Sequence, residues 1–186
     1  MSVSDVFRRI TQALDDAGIA YMLSGSFASA YYGVPRSTQD IDLVIEATPD
    51  QLRALVQRLP GDEYYVDLNA ALEAQQRESQ FNLIDLATGW KIDLMLRKNR
   101  PFSREEFGRR RRVTLQGLSI FVASPEDIVI AKMEWSRAAQ SLRQVQDAAA
   151  IVGLRGESLD RAYLEQWIRE LSLEGEWNTT RSLAGI

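Results

Sequence analysis

Apolar positions recur along this chain with two periods, and the changes from one to the other mark out its elements. In Ser4 to Ala17, SDVFRRITQALDDA, the residues Val6, Phe7, Ile10 and Leu14 fall at helical spacing, with Ser4 as the expected N-cap and Gly18 as the stop. IAYMLSG then reads as a short buried strand. SFASAYYG reads as a helix that opens directly after Gly25-Ser26 and is halted by Gly33 and Pro35. QDIDLVIE alternates and is rich in β-formers, so it is a strand. TPDQLRALVQRL is a helix capped by Thr48, with Pro49 at its first position and Pro60 past its end.

Further on, FNLIDLATGWKIDLMLR reads as two strands around a Thr-Gly turn, and RRVTLQGLSIFVAS as a second pair around Gly117. SPEDIVIAKMEWSRAA is a helix capped by Ser124 with Pro125 at its start, and from Ser141 onward the pattern stays helical. Helices alternate with strands, then hairpins follow, then helices. This order predicts an α+β fold, a mixed sheet packed with helices and followed by a helical C-terminal part. The division is placed at Ser124, with a core over residues 1–123 and a helical region over 124–186 packed on it.

Two aspartates interrupt the strand QDIDLVIE. Side chains two apart on a strand share a face, so Asp40 and Asp42 point one way while Ile41, Leu43 and Ile45 point the other. Neighbouring carboxylates repel, and one stays protonated unless a cation intervenes. A divalent ion resolves the conflict and takes carboxylate oxygens as hard ligands. In KIDLML, Asp93 projects from the face opposite Ile92, Leu94 and Leu96. If that strand lies beside the first, Asp93 completes a trio able to hold two metals for an in-line displacement at phosphorus, with Asp93 placed to help deprotonate an acceptor hydroxyl. A lone DxD is more often a surface pair on an edge strand; the apolar flanks and the second aspartate strand weigh against that here. Asp85, in LIDLAT, competes for the third place, but at a strand end beside a turn a carboxylate caps or is solvated.

Composition narrows the chemistry further. The 186 residues are 45% hydrophobic and 26% charged, the make-up of an ordinary globular protein. No stretch is long and apolar enough for a membrane span, and the N-terminal residues do not form a signal peptide, so a cytoplasmic protein with no membrane partner is expected. The chain has no cysteine and no histidine. That excludes disulfides, thiolate and histidine catalysis, and His or Cys metal sites. Any metal must be held by oxygen, which favours Mg²⁺, Mn²⁺ or Ca²⁺. A net charge of -4 argues against a dedicated nucleic-acid binder. The run RKNRPFSREEFGRRRR, Arg97 to Arg112, is locally basic. Its arginines Arg109 to Arg112 could receive RNA phosphates, although such a run more often solvates a loop or pairs with acids. Trp90, Trp135, Trp167 and Trp177 could stack on bases, but Trp135 and Trp167 sit at helical spacing and are expected in the core.

Gly25 and Ser26 lie between a strand and a helix. Glycine permits a sharp turn and close ligand approach, and the helix behind it offers free N–H groups to a phosphate, although a lone Gly-Ser also serves merely to turn and cap. Gly25-Ser26, thirteen residues, Asp40-Ile41-Asp42, and a later strand bearing Asp93 together resemble the nucleotidyltransferase superfamily with the DNA polymerase beta fold. The fuller string SGSFASAYYGVPRSTQDIDLVI is similar to the branch of AbiEii-type toxins and minimal nucleotidyltransferases, in which Arg36, Thr38, Asp40, Ile41, Asp42 and Leu43 match the first motif. Glu126, Asp127, Lys132, Arg143 and Asp147 match the looser elements that follow.

The resemblance implies that Gly25 and Ser26 hold a triphosphate and that Asp40, Asp42 and Asp93 bind Mg²⁺ or Mn²⁺. It places Lys132 and Asp147 near the nucleotide or acceptor, with Arg36 on phosphate and Thr38 in the nucleotide-binding segment. Without it, Lys132 reads as a solvated lysine, and Arg143 with Asp147 as a surface i, i+4 ion pair. The function implied is metal-dependent transfer of a nucleoside monophosphate from NTP to a hydroxyl of RNA, protein or a small molecule. The protein would then be an enzyme, in one version the toxin of a toxin–antitoxin pair with a cognate partner protein. The alternative is a non-catalytic member of the fold that binds a nucleotide or protein as a regulatory or antitoxin-like component.

Overall fold

The computed structural model describes residues 2–35, 37–115 and 117–186. It is α+β, as the alternation predicts, and separates into two compact units: the chain up to Ser24 with Thr38–Val122, and Gly25–Ser37 with Ala123–Ile186.

The first unit is built on a mixed sheet of β1 (Ala20–Leu23), β2 (Asp40–Glu46), β3 (Tyr64–Val66), β4 (Gln80–Asp85), β5 (Lys91–Leu96), β6 (Arg111–Leu115) and β7 (Leu118–Val122). Their spatial order is β3-β4-β5-β2-β1-β7-β6. β2 runs parallel to β5 and β1 parallel to β7, while the other neighbours are antiparallel. The unit's helices are α1 (Val3–Asp16), α3 (Pro49–Gln57), α4 (Leu68–Arg77) and α5 (Pro101–Gly108). Ser2, rather than Ser4, caps α1: its hydroxyl accepts from the Asp5 N–H while the Asp5 carboxylate accepts from the Ser2 N–H. Both residue types suit a cap; Ser2 is chosen because Asp5 stands three residues on and closes the box.

Val6, Phe7, Ile10 and Leu14 of α1 are buried, as are Ile41, Leu43 and Ile45 of β2 and Ile92, Leu94 and Leu96 of β5. Register is fixed by this division. A slip of one residue would turn three isoleucines and leucines of β2 outward and drive its acids into the core. β3, α4 and α5 were not foreseen. β3 has three residues, too few to show a period, and α5 begins inside the arginine-rich run, where charge hides the buried Phe102 and Phe107.

The second unit holds α2 (Gly25–Tyr32), α6 (Pro125–Ala139), α7 (Leu142–Arg155), α8 (Arg161–Glu170) and α9 (Glu174–Ala184). Its core includes Ala28, Ile128, Val129, Met133, Val145, Ile151, Val152, Leu164, Trp167 and Ile168. Trp167 is buried as expected, whereas Trp135 is 52% exposed. Its place on α6 falls on the polar side, since the buried stripe runs through Ile128, Val129, Lys132, Met133 and Ser136. α2 is tied down by α7: Arg155 Nε donates to the Tyr32 carbonyl at 2.9 Å and the guanidinium lies over the Tyr32 ring. At the start of α6, Asp127 is fully buried and accepts from Ser124 Oγ at 2.6 Å and from Tyr163 OH at 2.5 Å, while Glu126 Oε1 accepts from the Asp160 N–H. The Glu-Asp pair therefore anchors α6 to α8. Among the described residues no helix is long and apolar enough to cross a membrane.

Two stability predictions follow from buried polar groups. Asp85 is 1% exposed and is paired with Arg9, whose guanidinium also lies over Tyr64; the aspartate accepts in addition from the Thr88 N–H and hydroxyl. Arg9→Met leaves that carboxylate without its cation and should lower the urea-unfolding free energy by roughly 2–3 kcal/mol. Tyr21 is buried in β1, and burial, reinforced by the Asp15 charge, pushes its phenol above the ordinary value. A folded value above the unfolded one gives stability that is complete below pH about 10 and is lost as pH rises through the raised value. Unfolding measured across that range should show this loss, and Tyr21→Phe should reduce it, leaving the share of Tyr64, whose phenol burial raises likewise.

Candidate active site

The parallel pairing of β2 with β5 is the geometry that matters. Asp40 lies opposite Lys91, and Asp42 lies opposite Asp93. Side chains alternate along both strands, so Asp40, Asp42, Lys91 and Asp93 share one face of the sheet. Their burial is graded: Asp40 is exposed, Asp42 and Lys91 are half-buried, and Asp93 is 8% exposed. On the far side of Asp93, β4 places Asn82 in register with it. Asp85 falls on the other face of β4, with Phe81 and Leu83. Its expected solvation is corrected by the Arg9 pair, but its role as the turn's cap holds.

Two carboxylates in register on neighbouring strands are an electrostatic conflict, and Lys91 answers part of it. Its Nζ donates to Asp93 Oδ2 at 2.9 Å. The ammonium is held above its ordinary pKa chiefly by that hydrogen bond; burial opposes it, and the charges of Asp93, Asp40 and Asp42 add to it. The other oxygen, Asp93 Oδ1, is buried with no hydrogen-bond partner. Such an atom is expensive in a low-dielectric setting unless a ligand meets it. Among the described residues no three carboxylates are preassembled as a metal cage, and Asp93 is instead paired with Lys91. The donors nonetheless suit a hard divalent ion: they are all oxygen, they share one face, and one buried oxygen is left over.

Lys91 and Asn82 were absent from the sequence reading. Lys91 could have been found, because it stands two residues before Asp93 on a strand and so shares its face. Asn82 could be found only once the pairing of β4 with β5 was known.

The remaining predicted residues fall as follows. The Ser24 N–H donates to the Asp42 carbonyl at 2.9 Å, extending the β1–β2 ladder by one rung before Gly25. Gly25 has φ +58°, a left-handed conformation that disfavours any side chain, and it opens α2. The Ser26 carbonyl accepts from Ser29 Oγ. Thr38 braces the entry to β2, its hydroxyl lying 3.3 Å from both the N–H and the carbonyl oxygen of Asp40. Arg36 lies outside the described residues.

In the second unit, Lys132 is not a solvated lysine. It is 4% exposed and its Nζ donates to Asp147 Oδ2 at 2.8 Å. Asp147 thus pairs with Lys132 of α6, while Arg143 one turn away is exposed. The arginine run is also partly structural. Arg110 stacks on Phe107 and Phe121, and Arg112 lies over Phe121. Arg111 and Arg112 are exposed on β6, the edge strand, where charge blocks edge-to-edge pairing.

Compared with known protein families, residues 3–179 match the family described as nucleotidyltransferase of unknown function (DUF6036). The chain belongs to this family. The superfamily expected from the Gly-Ser and Asp-x-Asp motifs is thereby shown; the AbiEii-type branch is not. A comparison with curated proteins finds no match. Among solved structures, this family member is similar in fold to the antibiotic-resistance factor ANT(2'')-Ia, at 16% identity and a TM-score of 0.58, covering 96% of this chain and 100% of that one. It is similar to an antigenic nucleotidyltransferase-like protein from Paracoccidioides brasiliensis at 16% identity and 0.56, covering 96% and 90%. The lincosamide antibiotic adenylyltransferase LnuA gives 11% identity and 0.54, covering 81% and 98%.

The buried Lys132–Asp147 pair supplies a prediction of its own. Asp147→Asn leaves a buried ammonium short of its counter-charge and should cost roughly 2–4 kcal/mol in urea unfolding. The double variant Lys132→Met/Asp147→Leu should recover much of that loss, since a paired removal leaves no orphan charge.

Proposed function

We propose that this nucleotidyltransferase moves a nucleoside monophosphate from an NTP to an acceptor hydroxyl, using a divalent ion held by Asp40, Asp42 and Asp93. The observation that carries the reading is the register of Asp42 with Asp93, with Asp93 Oδ1 buried and unpartnered, in a chain of this family. In the step proposed, the acceptor oxygen forms a bond to the α-phosphorus. The bond from that phosphorus to the oxygen bridging to the β-phosphate breaks, and pyrophosphate leaves with the electron pair. The acceptor's proton passes to the Asp93 carboxylate. Mg²⁺ or Mn²⁺, when bound, supplies the positive charge that offsets what develops on the phosphoryl oxygens.

The chain's own contributions are positional. The β2–β5 register holds two carboxylates at a fixed spacing, and Thr38 braces the backbone of Asp40. For Gly25 and Ser26 the reading is polyphosphate binding through the first N–H groups of α2, which opens at the left-handed Gly25. Arg36 would add a phosphate contact. Lys132 and Asp147 are read as a rigid charged pair serving the nucleotide or acceptor.

The test is incubation with each labelled NTP, Mg²⁺ or Mn²⁺, and in turn total RNA, total protein and small polyhydroxylated acceptors. Transfer of label with release of pyrophosphate is expected, and the acceptor fraction that gains label assigns the substrate class. Asp42→Asn should reduce transfer on the order of 100-fold or more. It should leave unfolding free energy in metal-free buffer within about 1 kcal/mol of the parent, because it removes one of two neighbouring like charges. Loss of stability without loss of transfer would mark Asp42 as structural and end the reading. Growth arrest on expression, abolished by the same substitution, would assign the toxin role.

A further inference from the structure

Building on the nucleotidyl-transfer reading of the acidic face, we propose that Lys91 is itself one of that face's cations: its ammonium fills the place of a second divalent ion, so the three aspartates take one Mg²⁺ or Mn²⁺ rather than two.

Three observations lead there. Lys91 belongs to the face by backbone geometry: it stands opposite Asp40 across the β2–β5 pair and two residues before Asp93 on the same strand. Its Nζ is bound to Asp93 Oδ2 at 2.9 Å. Asp93 is then divided between two duties, since Oδ2 faces the ammonium while Oδ1 is buried, without a hydrogen-bond partner, and left for a metal. A site for two ions about 3.5–4 Å apart uses a carboxylate to bridge them, one oxygen to each. Here one of those two oxygens already faces a positive charge, the Lys91 ammonium. A divalent ion on Oδ2 at about 2.1 Å would lie close against that ammonium, a like-charge contact that the single Asp93 carboxylate could not screen.

Lysine differs from a metal in that it cannot leave, and it carries one charge rather than two. A face with a resident ammonium keeps its aspartates together without metal and needs only one ion to complete it. Lys91 is a positioning residue in this proposal: it orients Asp93 and offsets its charge, and it makes no bond to the reacting phosphorus.

The experiment counts Mn²⁺ on the full-length chain with a saturating non-hydrolysable NTP analogue, by equilibrium dialysis and by electron paramagnetic resonance, which distinguishes an isolated Mn²⁺ from a spin-coupled pair. The parent should bind one Mn²⁺ per chain with an uncoupled spectrum. Lys91→Met should bind two and show coupling, and Lys91→Arg, which restores the cation, should return to one. Circular dichroism confirms that each variant is folded. Two coupled ions on the parent chain would overturn the proposal, showing that the lysine swings aside; so would one ion on parent, methionine and arginine forms alike. Those results leave the transfer reading standing. Mn²⁺ binding that is absent, or that survives unchanged in Asp42→Asn, would instead sink the transfer reading and this proposal with it.

Discussion

Everything particular to this protein depends on one register: β2 runs beside β5 in parallel with Asp42 opposite Asp93. Strand pairing of that kind is held by the apolar residues on the reverse of the sheet. Ile41, Leu43 and Ile45 on one strand and Ile92, Leu94 and Leu96 on the other are buried. Burying each such side chain is worth about 1.5–3 kcal/mol, whereas adjacent like charges oppose the pairing by a fraction of that. The apolar face wins, and the acids are brought together against their own repulsion. The conflict is a consequence of folding, and Lys91 offsets part of it.

The parts of this arrangement that were legible in the sequence are those encoded by period. Alternation in DIDLVIE and KIDLML gives the two strands and the face of each aspartate with no further information. The caps Thr48 and Ser124, each followed by proline, give the starts of α3 and α6. What alternation does not encode is which strand lies beside which. The crossing from β2 to β5 passes over α3, β3, α4 and β4, and only the resemblance to a known superfamily suggested that Asp93 would stand next to Asp42. Short or heavily charged segments carry too little period to read. β3 is brief, and the arginines around α5 mask its two buried phenylalanines. Trp135 shows the opposite error, since helical spacing alone does not say which side of a helix is covered.

Charge was harder to read than hydrophobicity, because a charged residue's role depends on its partner. Lys132 and Asp147 look like solvated helix residues until α6 and α7 pack and remove both from water. Asp85 looks like a turn residue in solvent until Arg9 arrives from the far N-terminal helix. The arginine run, which could receive phosphates or merely solvate a loop, has Phe107 and Phe121 beneath two of its members. For the two ion pairs the partner lies fifteen or more residues away, beyond the reach of any local pattern.

The two units meet the problem of buried charge in different ways. In the helical unit, Lys132 and Asp147 neutralise one another, Asp127 is supplied with hydroxyl donors from Ser124 and Tyr163, and Glu126 takes a backbone N–H. These groups are provided for within the unit. In the sheet unit, the acidic face has three aspartates and one lysine, and Asp93 keeps an oxygen that is buried and unanswered. A chain that satisfies Asp85 and Asp127 so fully has the means to satisfy Asp93 as well, for instance by a hydroxyl from β4 in place of Asn82. Leaving that oxygen open serves no packing purpose, because an unpaired buried acceptor costs about 1–3 kcal/mol. It is accounted for on the proposed reading, in which a small, hard cation, suited to an all-oxygen donor set, meets that oxygen from solution.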